Sequence, residues 1–533
     1  MRAYDPGMAA AAAAGHERTA RTAADVLAVG GNAVDATVAA AAMSWASEPG
    51  LISPCGGGFL LVRPARTGKL HLLDAFTAIP GRDLPPDRRL GTFDRVDVPF
   101  DEQTTQVFHI GAAACAVPGV VAGIAAVHGR FGSMPWRELL MPAAAAANHG
   151  VASRGGQQAV LKAIEVVLTH TEEARSVFAP GGRYVQEGER VRQPDLAGTI
   201  ERLAELGPLD FYEGGLAEAM VEHQNATGGR LTMADLASYR AVWRRPLRIA
   251  YHGRREIYTN PPPSSGGVLI GHMLAVLRGV AEPLPPGRAR TLRAYAEAMR
   301  SAARMRDRRF ERLLHRGGLA PHMLSDEAVG RGRAALLAAL EGEPSAAPAI
   351  PSDHGTTHIS VVDEAGNACA FTSSNGCHSG VIVPGTGLHL NNMMGEDDLA
   401  AGRGMPPGTR LTSMQAPTMV VGPDGIELVV GSSGSNRLRS AITQVAINVI
   451  DHGMGARDAI DHPRVHVEGD RLDCEGGFAE AEIEQLERWG ERVNRFAGLN
   501  LYFGGANAVV GRGGTLEAAG DPRRAGAGIV LDG

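Results

Sequence analysis

The stretch "DHGTTHISVVDEAGNACAFTSSNG", residues 353–376, determines the architecture that we expect of this chain. Beyond Gly355 the side chains alternate with the period of a β-strand, in two sets: Thr357, Ile359 and Val361, and His358, Ser360 and Val362. "DEAGN" is typical of a tight turn, and "ACAFTSS" has the composition of a return strand. The stretch therefore predicts a β-hairpin that begins at Thr356.

A hydroxyl group is a poor nucleophile without a base, and no Asp-His pair is placed to serve Thr356. If the chain is cut between Gly355 and Thr356, the threonine gains a free α-amine, whose pKa is about 7.7–8.0 in an unperturbed chain. That amine is able to act as the base for its own hydroxyl. Glycine before the cut offers an unhindered carbonyl. The alternative explanation is that two threonines before a strand reflect β-propensity alone.

The stretch "VVGSSGSNRLR", residues 429–439, is a second candidate for a part of the active site. A strand, a turn of small residues and the start of a helix place backbone N–H groups at the positive end of that helix. Such donors stabilise a developing oxyanion. Two alternatives remain, an ordinary strand-to-helix turn and a nucleotide-phosphate loop, although no lysine follows the glycines as in a P-loop.

The rest of the chain predicts helices outside two antiparallel sheets. The first helix is closed by Gly30-Gly31, and the next is capped by Asn32 with Asp35 in the capping box and stopped at Pro49. Further helices are expected near 136–148, 195–206, 232–239, 266–278 and 290–310. Hairpins are expected at 59–63 with 69–74 and in "APTMVVGPDGIELVVG", and strand-like alternation occurs again in "ANAVVGRGGTLEAAG". Residues 341–355 have the composition of an exposed linker.

Composition is that of a soluble globular protein, with 44% apolar and 21% charged residues and a net charge of −6. This charge argues against nucleic acid as the main partner. The cysteines are odd in number and scattered along the chain: Cys55, Cys115, Cys369, Cys377 and Cys474. Neither a disulfide framework nor a zinc site is therefore expected, and no cofactor is predicted. His462 and His466 lack a third metal ligand, and Cys377-His378 is interpreted as a buried pair. We expect a cytoplasmic protein without a signal peptide or membrane span.

Ten motifs in order along nearly the whole chain resemble the γ-glutamyltranspeptidase family of N-terminal-nucleophile hydrolases. They are "GGNAVDATVAAA" (30–41), "CGGGFLLV" (55–62), "AVPGVVAG" (116–123), "NPPPSSGG" (260–267), "TTHISVVDEAGNA" (356–368), "PGTGLHLNN" (384–392), "LTSMQAPTMVV" (411–421), "GSSGSNR" (431–437), "PRVHVE" (463–468) and "AGDPRR" (519–524). The resemblance implies an α+β fold, a four-layer αββα sandwich. It also implies self-cleavage between Gly355 and Thr356 into a large subunit, 1–355, and a small subunit, 356–533, which together form one folded unit.

The resemblance also assigns roles to residues. Thr356, the first threonine of "TTH", matches the nucleophile, Ser374 matches a hydroxyl residue that hydrogen-bonds it, and Asn375 matches a polar contact to the substrate. The backbone N–H groups of Gly434 and Ser435 match the oxyanion hole, with serine in place of the second glycine.

Substrate contacts follow from the same resemblance. Thr412 and Ser413 match the hydroxyl pair that binds the substrate α-carboxylate. An acidic residue after "NN" holds the substrate α-amine, and in "NNMMGEDD" this residue is either Glu396 or Asp397.

Two departures from the family pattern bear on the substrate. The position of the family's carboxylate-binding arginine, in "LDAFTAIP", is Phe76 here. A carboxylate thereby loses a charge-assisted, bidentate partner, unless another arginine such as Arg82 replaces it. The loop 373–380 is shorter than in the typical transpeptidase, so the cover over the acyl group differs.

The predicted function is therefore a self-processing γ-glutamyltransferase or hydrolase that cleaves γ-glutamyl amides of the glutathione type through a Thr356 acyl-enzyme. One alternative is an amidase or acylase of the same family with a different acyl group, and another is an uncleaved, inactive binding homologue. The expected partners are a small acyl donor and a water or amine acceptor, with no nucleic acid or membrane. The processed subunits are expected to assemble as a homodimer or heterotetramer.

Overall fold

The structure is a computed structural model of the full chain. It describes residues 9–85, 87–99, 105–280, 284–343, 345, 348, 355–396 and 404–532. Most of the predicted linker 341–355 lies outside these residues, as does Asp397. No helix among the described residues has the length and apolar character that crossing a membrane requires.

Strands are numbered β1 to β22 along the chain. They are β1 Ala10–Ala14, β2 Gly57–Arg63, β3 His71–Ala75, β4 Asp94–Pro99, β5 Thr105–Ile110, β6 Val151–Ala152, β7 Arg190–Val191, β8 Val242–Arg244, β9 Leu247–Ala250, β10 Glu256–Thr259, β11 Thr357–Val362, β12 Ala368–Ser374, β13 Ile382–Val383, β14 Leu388–His389, β15 Thr418–Gly422, β16 Gly425–Ser433, β17 Val465–Glu468, β18 Arg471–Cys474, β19 Arg492–Arg495, β20 Gly505–Arg512, β21 Thr515–Ala519 and β22 Ala527–Leu531.

Helices are numbered α1 to α19 in the same way. They are α1 Glu17–Ala28, α2 Ala33–Ser47, α3 Val120–Phe131, α4 Trp136–His149, α5 Gly155–Ala163, α6 Glu165–Leu168, α7 Glu172–Phe178, α8 Pro194–Leu206, α9 Leu209–Glu213, α10 Gly215–Thr227, α11 Met233–Ser238, α12 Gly266–Leu277, α13 Ala289–Arg304, α14 Arg308–Arg316, α15 Leu319–Met323, α16 Asp326–Leu340, α17 Arg437–Ile450, α18 Ala456–Asp461 and α19 Glu480–Arg488.

Two large antiparallel sheets form the centre of the molecule. The first has the strand order β22-β1-β11-β12-β2-β3-β8, and the second has the order β21-β20-β16-β15-β10-β9. Strands β11 and β12 of the first sheet lie against β16 of the second, and β1 lies against β20 and β21. A small apolar cluster, which includes Leu61, Met419, Val429 and Val509, fills the space between the sheets.

Helices cover the outer face of each sheet. Helices α1, α2 and α3 pack on the first sheet, and α12 and α17 pack on the second. Each helical layer buries its own large apolar core against its sheet. The order helix, sheet, sheet, helix is the predicted αββα sandwich, and the α+β fold class is confirmed.

Strand β11 is the most enclosed element of this sandwich. Every residue from Thr357 to Val362 is buried, because β1 and β12 flank the strand and both sheet faces are covered. Ile359 and Val361 point into the core under α2, whereas His358 and Ser360 point toward the second sheet. The strand therefore carries an apolar face and a polar face, both buried.

The polar face of β11 is satisfied by hydrogen bonds between the sheets. The His358 ring interacts with the hydroxyls of Thr372 at 2.8 Å and Ser360 at 2.9 Å, and Asn507 donates to the His358 carbonyl at 3.0 Å. Burial lowers the pKa of His358 to about 3, so its ring is neutral at physiological pH. This histidine has both ring nitrogens engaged and is not a base for Thr356.

Several local predictions are confirmed. Asn32 caps α2, and the Asp35 carboxylate accepts a hydrogen bond from the Asn32 backbone N–H at 3.0 Å, which completes the capping box. The hairpins β2–β3, β11–β12, β15–β16 and β20–β21 all form in antiparallel register. The predicted helix near 290–310 is wrong in one respect, since it ends at Arg304. Asp307 then accepts hydrogen bonds from the N–H groups of Arg309 and Phe310 and starts α14.

Candidate active site

Thr356 lies immediately before β11 and is 5% exposed. It borders a small cavity of about 30 Å³ at the edge of the two sheets. The residues that line this cavity are Phe76, Thr356, Ser374, Met393, Glu396, Ser413, Met414, Gln415, Ser435 and Leu438. The structure therefore brings together six of the predicted site residues in one place: Thr356, Ser374, Ser435, Ser413, Glu396 and Phe76.

The adjacent threonine has a different environment. A Cβ atom at Gly15 would lie 2.6 Å from the Glu48 carboxylate and would also overlap the Thr357 hydroxyl, so these groups converge on the helical side of the sheet. Thr357 does not line the cavity around Thr356. This placement agrees with Thr356, rather than Thr357, as the candidate nucleophile.

Ser374 touches the peptide bond that is predicted to be cut. Thr357 pairs with Ser373 in the β11–β12 ladder, which places Ser374 beside the residue before β11. The Ser374 hydroxyl donates a short hydrogen bond to the Gly355 carbonyl oxygen and accepts one from the Gly376 N–H at 3.0 Å. Hydrogen bonding to that carbonyl polarises it toward attack by the Thr356 hydroxyl.

Gly355 is required at its position for steric reasons. A Cβ atom there would overlap the carbonyl oxygen of Gly376, which is backbone and cannot swing away. The close approach of these two chain segments is what allows Ser374 to reach the Gly355 carbonyl.

The candidate oxyanion turn, residues 433–436, links β16 to α17. Both Gly434 and Ser435 have left-handed backbone conformations, with φ of 107° and 52°. Ser435 lines the cavity beside Thr356, and the helix that follows points its N-terminus at this turn. Backbone N–H groups at such a turn suit a developing negative charge.

Other predicted site residues lie near the cavity without lining it. The Asn375 side chain bonds to neighbouring protein groups, since its amide nitrogen contacts the His378 ring at 3.0 Å and its amide oxygen accepts from Ser53 at 3.1 Å. Thr412 and Gly434 are buried next to cavity residues. Arg82 is held elsewhere by Asp235, which accepts from the Arg82 backbone N–H at 3.0 Å.

One wall of the cavity is apolar. Phe76 stacks on Phe59 with ring centroids 5.5 Å apart and an interplanar angle of 15°. Met393 packs in the same apolar cluster, and Met414 and Leu438, from the core of the second sheet, also line the cavity. Among the described residues, no arginine lines the cavity.

The cysteine and histidine candidates outside the cavity are hydrogen-bonded to neighbouring protein groups. The Cys377 sulfur accepts from the Asn392 amide at 3.0 Å, and burial lowers the pKa of His378 well below its usual range. His466 contacts the Ser440 hydroxyl and His462 contacts its own loop. In the described part of the chain, no cluster of three His, Cys, Asp or Glu side chains is arranged to hold a metal ion.

Comparison with known proteins decides the family. The sequence model described as "Gamma-glutamyltranspeptidase" matches residues 19–531. The chain belongs to the γ-glutamyltranspeptidase family. It is accordingly an N-terminal-nucleophile hydrolase, as the motifs predicted.

Relatives within this family carry two kinds of name. The chain is 32% identical to the "Glutathione hydrolase proenzyme" of Pseudomonas aeruginosa, over 98% of this chain and 94% of that protein. It is 31% identical to the "Acylase ACY 1 proenzyme" of a Pseudomonas species, over 97% and 93% of the two chains. Among solved structures, a cephalosporin acylase from Bacillus halodurans superposes with a TM-score of 0.83 at 25% identity, covering 99% of this chain and 97% of that one.

Sequence reasoning missed two buried charged residues that adjoin this γ-glutamyltranspeptidase-family site. Glu48 follows α2, where Thr19 donates to it at 3.0 Å, and its burial raises its pKa to about 7. Arg524 belongs to the last motif, and its burial lowers its pKa to about 10. A glutamate directly after a largely apolar helix, in "SWASEPG", was the available sequence signal.

We predict that Ser435→Gly raises the thermal unfolding midpoint and keeps activity within about threefold. Glycine adopts φ of 52° freely, whereas a serine there stores on the order of 1 kcal/mol of backbone strain. Ser435→Val should lower both stability and activity, because a β-branched residue is a genuine outlier at positive φ. Calorimetry and turnover of both variants test this. A glycine variant that is less stable than the wild type would contradict it.

We also predict that Glu48→Gln removes a pH-dependent loss of stability. The pKa of Glu48 is raised in the folded state, so its contribution to stability is complete below about pH 4.5 and is lost as pH rises through about 7. The glutamine variant should therefore gain on the wild type between pH 5 and pH 8, by up to about 3 kcal/mol. Thermal midpoints at several pH values measure this, with exposed Glu484→Gln as the control. A difference that does not change with pH would refute the assignment.

Proposed function

We propose that this protein is a self-processing amide hydrolase that transfers an acyl group to Thr356 and takes acyl groups with an apolar body. This is the acylase alternative, narrowed by one observation. Phe76, stacked on Phe59, occupies the cavity wall where the family pattern has a carboxylate-binding arginine. The proposal also covers cleavage into subunits 1–355 and 356–533.

Self-processing begins with attack by the Thr356 hydroxyl on the Gly355 carbonyl carbon. Ser374, which donates to the Gly355 oxygen, stabilises the charge that develops there. The C–N bond of the Gly355–Thr356 peptide breaks, the leaving amine takes up the proton, and the resulting Thr356 ester is hydrolysed by water. The new α-amine of Thr356 remains at the start of β11.

The mature enzyme repeats this chemistry on an external amide. The Thr356 α-amine accepts the proton of the Thr356 hydroxyl while the oxygen attacks the substrate carbonyl. The N–H groups of Gly434 and Ser435 receive the oxyanion of the tetrahedral intermediate. The protonated α-amine then gives its proton to the leaving amine, and an ester on Thr356 remains for attack by water or an acceptor amine.

The apolar wall bears on which acyl group is bound. A hydrogen bond to a charged group contributes about 1.5–3 kcal/mol, so losing a bidentate arginine removes a large part of the affinity for an α-carboxylate. Phe76, Met393, Met414 and Leu438 instead offer apolar surface, which favours methylene or aromatic groups. Thr412 and Ser413 alone give a carboxylate only neutral partners.

A second candidate, hydrolysis or transfer of γ-glutamyl groups, is supported by a different observation. Glu396 lines the cavity, where a carboxylate suits the α-amine of a γ-glutamyl substrate. Several relatives are also named glutathione hydrolases. An acyl group with an amine and no α-carboxylate satisfies both Glu396 and Phe76.

We expect wild-type protein to yield two fragments that meet at Gly355–Thr356, and Thr356→Ala to remain one chain of about 56 kDa. Alanine lacks the hydroxyl that attacks the Gly355 carbonyl. Intact-mass spectrometry of both proteins measures this, and Thr357→Ala is the matched control, which should still be cut. An uncut wild type without turnover would favour the inactive binding homologue.

Four p-nitroanilides separate the two substrate candidates. Their acyl groups share the same four-carbon chain from the acyl carbonyl to the carbon that corresponds to Cα. The γ-glutamyl compound carries both the α-amine and the α-carboxylate, the 4-aminobutyryl compound only the amine, the glutaryl compound only the carboxylate, and the butyryl compound neither. We expect the wild type to turn over the 4-aminobutyryl compound with the highest kcat/KM. Phe76→Arg should shift preference toward γ-glutamyl and glutaryl compounds by about 10-fold or more, as expected for a regained charged partner.

The control for this experiment is Phe76→Leu, which keeps the wall apolar and should keep the wild-type order of substrates. A wild type that prefers the γ-glutamyl anilide over the 4-aminobutyryl anilide would overturn the acylase proposal in favour of the γ-glutamyl one.

A further inference from the structure

Arg524 is the final residue of the last motif and extends into the interior behind the oxyanion turn. It ends a short 3-10 helix, Pro522–Arg524, and is 7% exposed. Two glycines pack against Arg524. A Cβ atom at Gly156 would lie 2.7 Å from the Arg524 Cα, and one at Gly505 would lie 2.7 Å from its Cδ. The absence of side chains at these positions gives the arginine room to lie between the layers.

The far end of Arg524 reaches the oxyanion turn. Its Nη2 atom lies 3.6 Å from the position of a Cβ atom at Gly434 and donates to the Leu501 carbonyl at 3.3 Å. Its Nε atom has no hydrogen-bond partner among the described residues. Burying a guanidinium group with so few hydrogen bonds is costly, which distinguishes it from a group that is buried for stability.

Nearby acidic groups are largely committed to other arginines. Asp521 pairs with Arg464 at 2.8 Å and with Arg523 at 3.1 Å, and Glu475 pairs with Arg523 at 2.5 Å. Burial and, after it, the charge of Arg437 lower the pKa of Arg524, whereas Asp521 and Glu48 raise it. Glu48, at the end of α2, is the second carboxyl group, besides Asp521, whose charge acts on Arg524.

We propose that Arg524 is a positioning residue for acyl transfer, which supports the oxyanion turn from behind and adds positive charge where the oxyanion develops. This inference rests on the proposed role of Thr356 and the 433–436 turn. In a dry interior a fixed charge acts over several ångströms with little screening. Arg524 does not line the acyl cavity, so its effect does not depend on which acyl group is bound.

Glu48 is the countercharge in this arrangement. It precedes Pro49 at the end of α2 and lies against Thr357, while Arg524 lies near Gly434, so the two charges flank the start of β11. An ionised Glu48 partly cancels the field of Arg524, and a neutral residue at this position leaves that field intact. Neutralising Glu48 should therefore preserve or raise kcat, whereas a purely structural ion pair predicts a loss.

The test compares processed wild type with Arg524→Met and Arg524→Lys on the four anilides. We expect Arg524→Met to lower kcat about 10- to 100-fold on every anilide that the wild type cleaves, with KM changed little. This is less than the roughly 100- to 1000-fold loss seen when a direct oxyanion donor is removed, because Arg524 acts from behind the turn. Arg524→Lys should recover a large part of kcat. The inhibition constant of propylboronic acid, whose tetrahedral adduct carries an oxygen at the oxyanion position, should rise in parallel for Arg524→Met.

Control variants distinguish a folding defect from the expected loss of kcat. Arg300→Met removes another buried arginine, one that pairs with Glu491 away from the cavity, and should lower the unfolding midpoint without changing kcat. If Arg524→Met is not processed, Arg524→Lys and Glu48→Gln carry the test. The ratio of kcat for Glu48→Gln to that of wild type should be at least one and should increase as pH rises through 7.

Three results would overturn the inference. They are an unchanged kcat in processed Arg524→Met, a loss confined to the anilides with an α-carboxylate, which would make Arg524 a substrate ligand, and a lower kcat in Glu48→Gln at pH 8. A wild type that is uncut and cleaves no anilide would instead mark failure of the proposed function itself.

Discussion

The structure depends on the position of Thr356 directly before a strand that is buried on both faces. Because β11 pairs with β1 and β12 and is covered by α2 and β16, its first residues cannot shift without breaking two ladders. A residue that uses its own α-amine as the base cannot adjust the position of that amine by rotating a side chain. Its backbone must therefore be held in place. The ladder also determines that Ser374 lies opposite Thr356 and reaches the Gly355 carbonyl.

The polar layer between the sheets complements this fixation. His358 and Ser360 point away from the helices and are fully hydrogen-bonded to Thr372 and the second sheet. A buried polar network of this kind has one satisfied arrangement, which ties β11 to β16 and hence Thr356 to the turn that follows β16. The two halves of the site, Thr356 on one sheet and residues 433–436 on the other, are thereby held in register.

Local patterns were sufficient to predict much of the fold. The capping box at Asn32 and the hairpins at 357–374 and 418–433 depend on residues close in sequence, and all of them formed. Strand β1, Ala10–Ala14, was not predicted, because five alanines have no alternation and weak β-propensity. It forms because small side chains fit between β11 and β22, which are more than 300 residues away in sequence.

The site shows the same division between local and long-range information. Thr356, Ser374 and Ser435 could be predicted from motifs, since each lies at the end of a recognisable strand. Glu48 and Arg524 could not, because their significance arises only when the end of α2 and the segment before β22 meet behind the site.

Phe76 is a third case. The sequence shows that this position departs from the family pattern, but only the fold shows which residues surround it. Its ring stacks on Phe59 within β2 and faces Met393, so the change from a charged to an apolar residue is embedded in a packed wall. Under the proposed function such a wall is an altered surface and not a lost function, since Thr356, Ser374 and Ser435 line the same cavity. The chemistry of the family is therefore separable from its acyl specificity. The first depends on two sheets held in register, and the second depends on the few side chains that close the cavity beside them.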